Sequence, residues 1–341
     1  MSQNNTHTIL VTGGLGYIGS HTVVALQERG YEVVIIDNLS NTRLSVLEGI
    51  TAITDIKPVY YNIDLKEKSS ILQVFKNHKI DGVIHFAAYK AVGESVEKPL
   101  SYYENNLSSL VNLLQVMLEN KNPNIIFSSS CTVYGQAESL PITEEAPIKP
   151  AESPYGNTKQ IGEEILYDTT KASALKAIAL RYFNPIGAHK SALIGELPLG
   201  VPQNLIPFVT QTAAKIRPEL RVFGNDYPTE DGTAVRDYIH VVDLAKAHVK
   251  AVERLLENKQ ETAFEVFNVG TGRGSSVLEV IKTFEKVNKL KLNYKIVGRR
   301  AGDITAAYAD TTKANKVLGW QAKENLEDAL KSAWVWQLKQ G

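Results

Sequence analysis

A chain of 341 residues is longer than one simple domain requires, and a hydrophobic fraction of 43% is enough for a sizeable core. Thirty-seven basic residues balance thirty-seven acidic ones, so bulk charge offers no attraction to nucleic acid or to an anionic membrane. A single cysteine, Cys131, excludes an intrachain disulfide and a cysteine-based zinc site, and the seven histidines show no metal-ligand spacing, so no metal is expected.

The first apolar run, residues 9–11, is too short for a signal-peptide core, and no run reaches the length of a membrane span. A reducing cytoplasm is the expected compartment, with no membrane partner. From there the first half alternates short apolar runs with amphipathic stretches. Strands are predicted at residues 8–12, 32–37, 58–64, 81–87, 124–130 and 176–182, with helices at 17–29, 67–77, 100–119 and 155–170. This alternation predicts an α/β fold, a Rossmann-like doubly wound parallel sheet whose ligands sit beyond the carboxyl ends of its strands. After residue 183 the rhythm changes. Residues 187–207 and 222–237 are rich in Gly, Pro, Asn and Asp, and helices return at 204–215, 241–256, 276–288 and 326–338. Residues 1–183 are therefore expected to form the nucleotide-binding domain. Residues 184–341 are expected to form a smaller, mixed α/β substrate lobe, with room for the chain to cross between the two.

The first strand runs into Gly13-Gly14-Leu15-Gly16-Tyr17-Ile18-Gly19 and then a helix. Glycines at this spacing permit a tight turn and let the backbone approach a pyrophosphate at the positive end of the helix. Alone, the pattern marks only a tight strand-to-helix turn; its place after a strand and before a helix makes it a dinucleotide loop. The next strand ends in Asp37, placed to accept both adenosine ribose hydroxyls and to repel a 2′-phosphate, which favours NAD over NADP. A solvated turn aspartate is the plainer alternative. Asp64, ending the third strand, is placed to meet adenine. His85-Phe86-Ala87-Ala88 ends the fourth with small residues that suit either a close cofactor backbone or ordinary packing.

Tyr155 and Lys159 stand four apart at the start of a helix preceded by Pro154, so they share a face. A free tyrosine titrates near pH 10. A neighbouring ammonium and a nicotinamide cation would favour its phenolate and make it a base. Such pairs also occur on ordinary helices, and Ser130, at the end of the fifth strand, could be no more than a turn serine. The order of glycine loop, serine and Tyr/Lys pair favours chemistry.

With these residues in place, the chain resembles the extended short-chain dehydrogenase/reductase family, and within it the UDP-galactose 4-epimerase branch. The resemblance runs nearly end to end through TGGLGYIGSHT, IDNLSN, HFAAYKAVGES, FSSSCTVYG, SPYGNTK, RYFNPIGAH, FGNDYPTEDGTAVRDYIHVVDLA, FNVGTGRGSSV and RRAGDI. It implies interconversion of UDP-glucose and UDP-galactose: Tyr155 takes the proton of the sugar 4-hydroxyl while hydride passes from C4 to NAD. Ser130 assists, and Lys159 binds the nicotinamide ribose and tunes Tyr155. The 4-keto sugar turns over, the hydride returns, and the cofactor need never leave. In the related nucleotide-sugar 4,6-dehydratases an Asp-Glu pair follows the matching serine; here Cys131 and Thr132 stand there, which disfavours dehydration.

The resemblance also implies a cofactor site of Gly13, Gly16, Tyr17, Ile18, Gly19, Asp37, Asn38, Asp64, Leu65, Phe86, Ala87, Lys90, Asn105, Ser128, Tyr155, Lys159 and Phe183. On the substrate side it implies Ser130, Tyr155, Asn184, Asn204, Leu205 and Phe223 with Arg236 and Arg300 on the diphosphate and Asp303 on the uridine ribose. Ala307 occupies a place held by a bulky tyrosine in members restricted to unmodified hexoses, which implies room for the 2-acetamido group of UDP-GlcNAc and UDP-GalNAc. Residues 270–274 read as a turn between a strand and a helix rather than a second phosphate loop. The helix at 100–119 carries Tyr103, Leu107, Leu110, Leu114 and Met117 at helical spacing, a stripe that suits a core. The resemblance implies a homodimer through this helix and the one bearing Tyr155.

Overall fold

A computed structural model describes residues 7–300 and 303–340. Of the motifs quoted above, only Ala301 and Gly302 of RRAGDI lie outside the described residues. The strands in chain order are β1 (Thr8–Thr12), β2 (Glu32–Ile36), β3 (Val59–Tyr61), β4 (Gly82–His85), β5 (Asn124–Ser130), β6 (Lys176–Tyr182) and β7 (Asn184–Ile186). They continue with β8 (Leu220–Phe223), β9 (Val235–His240), β10 (Phe264–Val269), β11 (Gly274–Ser276), β12 (Tyr294–Val297) and β13 (Ala306–Ala307). Seven of them form one parallel sheet in the order β10-β6-β5-β4-β1-β2-β3.

The sheet is buried on both faces, as a parallel sheet must be. On β1, Ile9 and Val11 point into one core layer and Leu10 into the other. The first layer packs the sheet against the helices Tyr17–Glu28 and Val241–Leu256, and the second packs it against Lys68–Asn77, Ser109–Glu119 and Pro154–Ala172. Leu110, Leu114 and Met117 are buried in that second layer. A smaller core lies among the helices Leu205–Ala213, Val277–Asn288 and Leu326–Lys339. Beside it, β9 stands between β11 and β13 and also pairs with β7.

All six predicted strands of the first half are present, with β3 and β4 shorter than expected. Several elements were not anticipated, the helix Val92–Glu97 and the individual strands of the later lobe among them; three bear on the site. The helix Ser45–Thr54 follows β2, a five-residue π segment at Glu104–Ser108 interrupts the predicted helix at 100–119, and β10 adds a seventh strand to the main sheet. The chain thus returns from residues 184–340 to complete the first sheet, with the Val241–Leu256 helix and β10 as its contribution. Among the described residues no helix is long and apolar enough to cross a membrane.

Candidate active site

The loop after β1 is shaped by contacts that only glycine permits. Gly13 sits at φ +68°, and a Cβ there would lie 2.8 Å from the Ala87 nitrogen at the end of β4. At Gly19 a Cβ would fall 2.2 Å from the Gly13 carbonyl oxygen, so the helix rests directly on the loop. Gly16, the N-cap, has no side chain to offer the first helical amides, which leaves them to an anionic ligand. Asp37 is held beside the loop: Leu15 N–H and Leu39 N–H donate to its two carboxylate oxygens at 3.1 and 2.9 Å. Burial raises its pKa, and those two amides pull the other way. Asn38 reaches Asp64 at 3.3 Å, and Leu65 is buried just beyond. The loop therefore fits a dinucleotide, with a turn only glycine can line, free helix amides and a fixed carboxylate.

Tyr17 and Ile18 open the helix, and the Tyr17 hydroxyl donates to the Gly187 carbonyl at 2.6 Å, tying the loop to the second lobe. Phe86 leans on His248, with ring centroids 4.6 Å apart. Lys90 pairs with Glu196 at 3.1 Å, and the same Glu196 oxygen accepts from Asn204 at 2.6 Å. A residue predicted for the cofactor and one predicted for the substrate thus share a carboxylate that sequence reasoning had passed over.

Asn105 lies in the π segment, and the next residue, Asn106, is a second omission. Its amide bonds the Tyr89 carbonyl at 3.1 Å and the Thr158 hydroxyl at 3.0 Å, clamping the loop after β4 to the Tyr155 helix. An extra residue in a helical turn is a frequent mark of a functional site. It has no signature in hydrophobic spacing.

Ser130, Tyr155 and Lys159 converge at the carboxyl end of β5. Ser130 ends the strand, and its hydroxyl accepts from the Thr132 amide at 3.2 Å. Ser153 caps the Tyr155 helix from the Gly156 amide, and Pro154 occupies its first turn. Lys159 is buried, and its ammonium donates to the Ser128 carbonyl at 2.6 Å while standing 5.9 Å from the Tyr155 ring centroid. Burial pushes the Tyr155 hydroxyl up to about 12, opposed by a hydrogen bond with Ser130, and pulls Lys159 down to about 8. The sequence led to the expectation that the ammonium and a nicotinamide cation together lower Tyr155; in the protein alone, desolvation is the largest influence and raises it. A cation close to the phenol would be needed to reverse that balance. Ser128 hydrogen-bonds the buried Tyr182 hydroxyl as well.

On β9, Arg236 donates to Asp303 at 2.6 Å, and Arg300 approaches the same Asp303 oxygen at 3.5 Å while lying 5.8 Å from the Phe223 ring. Asp303 is thus engaged by both arginines. Asn204 precedes the helix that begins with Leu205 without capping it, its side chain being on Glu196, and Asn184 begins β7. Ala307 pairs with Arg236 in the β13–β9 ladder and is buried among Val133, Tyr134, Ile142, Phe183 and Ala309. The turn at 270–274 is held by Asp237, which accepts from the Thr271 and Gly272 amides at 2.8 and 3.1 Å, so it serves as a junction.

The arrangement matches known proteins over nearly its whole length. The family model described as GDP-mannose 4,6 dehydratase matches residues 10–333. The UDP-glucose 4-epimerase of Bacillus subtilis is 51% identical over 330 residues, covering 96% of this chain and 96% of the relative. Among solved structures, the UDP-glucose 4-epimerase of Stenotrophomonas maltophila, with bound NAD and formylated UDP-arabinopyranose, superposes with a TM-score of 0.95 at 46% identity, covering 98% of each chain. That of Bifidobacterium longum, in complex with NAD+ and UDP, does so with a TM-score of 0.93 at 48% identity, covering 97% of this chain and 98% of the other.

Proposed function

The chain belongs to the UDP-glucose 4-epimerase family, within the wider group described by the GDP-mannose 4,6 dehydratase model, and from this we propose the residues that carry its reaction. It is an isomerase that interconverts UDP-glucose and UDP-galactose with bound NAD. When bound, NAD supplies a reversible hydride acceptor at the sugar C4.

Tyr155 removes the proton of the C4 hydroxyl and later returns it, and Ser130 holds that hydroxyl and relays the proton. Lys159 keeps positive charge beside Tyr155 and binds the nicotinamide ribose. The observation that carries this reading is the meeting of Ser130, Tyr155 and Lys159 at the carboxyl end of β5, two strands along the sheet from β1 and its Gly13–Gly19 loop. Asp37, with Asn38 and Asp64, holds the adenosine end. Arg236 and Arg300 take the diphosphate, and Phe223 lines the uracil slot. The Arg236–Asp303 contact fixes both side chains for this task.

Proton NMR of UDP-galactose with the purified protein and no added NAD should show UDP-glucose appearing. Y155F should retain NAD and lower kcat by about 10²–10⁴-fold. Near-normal turnover by Y155F would overturn the assignment of the base.

The small side chain at Ala307 supports a wider substrate range, UDP-GlcNAc and UDP-GalNAc included. A307Y should lose the acetylated pair and keep the plain hexoses; parallel loss of both would count against the pocket. A homodimer is supported by the exposed apolar side chains Val111 and Leu118 on the Ser109–Glu119 helix and Tyr167 on the Tyr155 helix. Light scattering at twice the chain mass would bear this out. A lone thiol, Cys131, suits a reducing cytoplasm.

A further inference from the structure

Behind the catalytic side chains lies a buried ion pair that the chemistry above does not use. Glu163 follows Lys159 by four residues on the Pro154–Ala172 helix, as Lys159 follows Tyr155, so the three form one stripe. Lys159 and Glu163 are only 4% and 7% exposed. Arg181, on β6, grips the Glu163 carboxylate with both prongs, Nε to Oε1 at 2.9 Å and Nη2 to Oε2 at 2.5 Å. Ser129 donates to Oε1 at 2.5 Å, and Ser129 sits between Ser128, whose carbonyl holds Lys159, and Ser130. The remaining Arg181 Nη1 donates to the Tyr134 hydroxyl at 3.0 Å, which donates in turn to Asn268 on β10 at 2.7 Å.

For stability alone, an apolar pair of the same volume would serve as well or better, because desolvating two charges cancels much of their attraction. What an apolar pair could not supply is charge beside Lys159. The groups facing the site from other elements include His85 on β4, Tyr182 on β6, and Cys131 and Tyr134 after β5; Tyr102, bonded to Glu94, faces Tyr155 from the Pro99–Tyr103 helix, and Arg236 and Asp237 act on Cys131. Burial keeps His85, Tyr102, Tyr182, Cys131 and Tyr134 uncharged near neutral pH. Glu144, behind Tyr134, contacts Asn268 rather than the catalytic stripe. Glu163 is itself part of the stripe, and Arg181 is bonded directly to it. Glu163 opposes the desolvation of Lys159.

We propose that the Glu163–Arg181 pair sets the charge balance of the active site: Glu163 keeps Lys159 protonated, and Arg181 cancels the effect of that carboxylate on the Tyr155 phenolate. Both are positioning residues that act through Tyr155 and Lys159, and the proposal rests on the epimerase reading above.

The two halves of the pair make opposite predictions for the pH profile of kcat with UDP-galactose. E163Q leaves a buried guanidinium unbalanced, so the Tyr155 and Lys159 limbs both move to lower pH, by about one unit. R181Q leaves a buried carboxylate unbalanced and moves both limbs to higher pH by a similar amount. R181K keeps the charge and leaves the limbs in place, whatever it does to the height of the curve. A purely structural pair would lower kcat at every pH without moving either limb, and that result overturns the proposal. Should E163Q fail to fold, R181Q against R181K decides alone, and identical limbs in those two variants also overturn it. Failure of the unsubstituted protein to epimerise at any pH is a separate result, which removes the epimerase reading and this proposal with it.

Discussion

The two parts of the proposed site are built from different materials. On the side proposed for the cofactor the surface is mainly backbone: the Gly13–Gly19 turn, uncapped helix amides, and an Asp37 carboxylate held by two main-chain N–H groups. On the side proposed for the sugar nucleotide it is side chain, with Arg236 and Arg300 both engaging Asp303 beside the half-exposed Phe223. Backbone surfaces cannot repack, so they tolerate no added atom. Ionic side chains can swing and re-pair, so they tolerate loss of a member. A cofactor that stays through every turnover suits the first material, and a substrate that must enter and leave suits the second.

The largest expected effect comes from adding one carbon to each side. G19A would place a Cβ 2.2 Å from a backbone oxygen and 2.9 Å from the Gly14 Cα, so loop or helix must move. Overpacking of this kind costs about 1–3 kcal/mol. The variant should melt several degrees lower, lose NAD on purification, and need added NAD for activity. G298A, next to the arginines and with nothing within 4 Å of its would-be Cβ, should be silent in all three assays. If G19A retained NAD, or G298A proved equally damaging, the contrast between the two sides would fail.

The same contrast governs what could be read from sequence. The loop after β1 and the Tyr155–Lys159 pair are encoded locally, by spacing within one turn or one helix, and both stand where expected. β10 was missed because its polar residues obscure the apolar run. Glu265 is buried against Arg254 at 2.7 Å and Asn268 against Tyr134, partners distant in space that no window of sequence contains. The Ser45–Thr54 helix was missed because β-branched residues and Gly49 weaken its propensity. Gly49 is there for close packing, since a Cβ would meet the Leu193 carbonyl at 2.5 Å. Glu163 was overlooked for the opposite reason: its spacing from Lys159 was legible, but its burial depends on Arg181 from another strand.

Acid sharpens the comparison with a middling effect, because the sheet side is dry. Burial lowers His21 and His85 to about 3, and His240 and His248 to about 4. These groups are neutral in the folded chain and titrate near 6.5 when unfolded. Their contribution is fully present above pH 6.5 and declines as pH falls towards those folded values, by up to about 1.4 kcal/mol per histidine per unit. Urea midpoints measured at pH 7.5, 6 and 5 should fall steadily. A midpoint constant across that range would mean that these histidines are not held neutral by the fold.

The smallest effect is expected on the ionic side, at Arg300. Its side chain is 60% exposed and 3.5 Å from Asp303, whereas Arg236 is 16% exposed and bonded at 2.6 Å. An exposed ion pair contributes little and is screened by salt. R300M should raise the KM for UDP-galactose about three-fold at low ionic strength, leave kcat unchanged, and approach the unsubstituted protein at 0.5 M salt, about three times the physiological ionic strength. Arg236 is fixed by β9 and by Asp303, so R236M leaves Asp303 with only the looser contact from Arg300. Its effect should be larger and should persist in salt. If R300M were the more damaging of the two, the exposed arginine would have to move inward when substrate binds, and the sugar side would then be ordered by its ligand rather than by the fold.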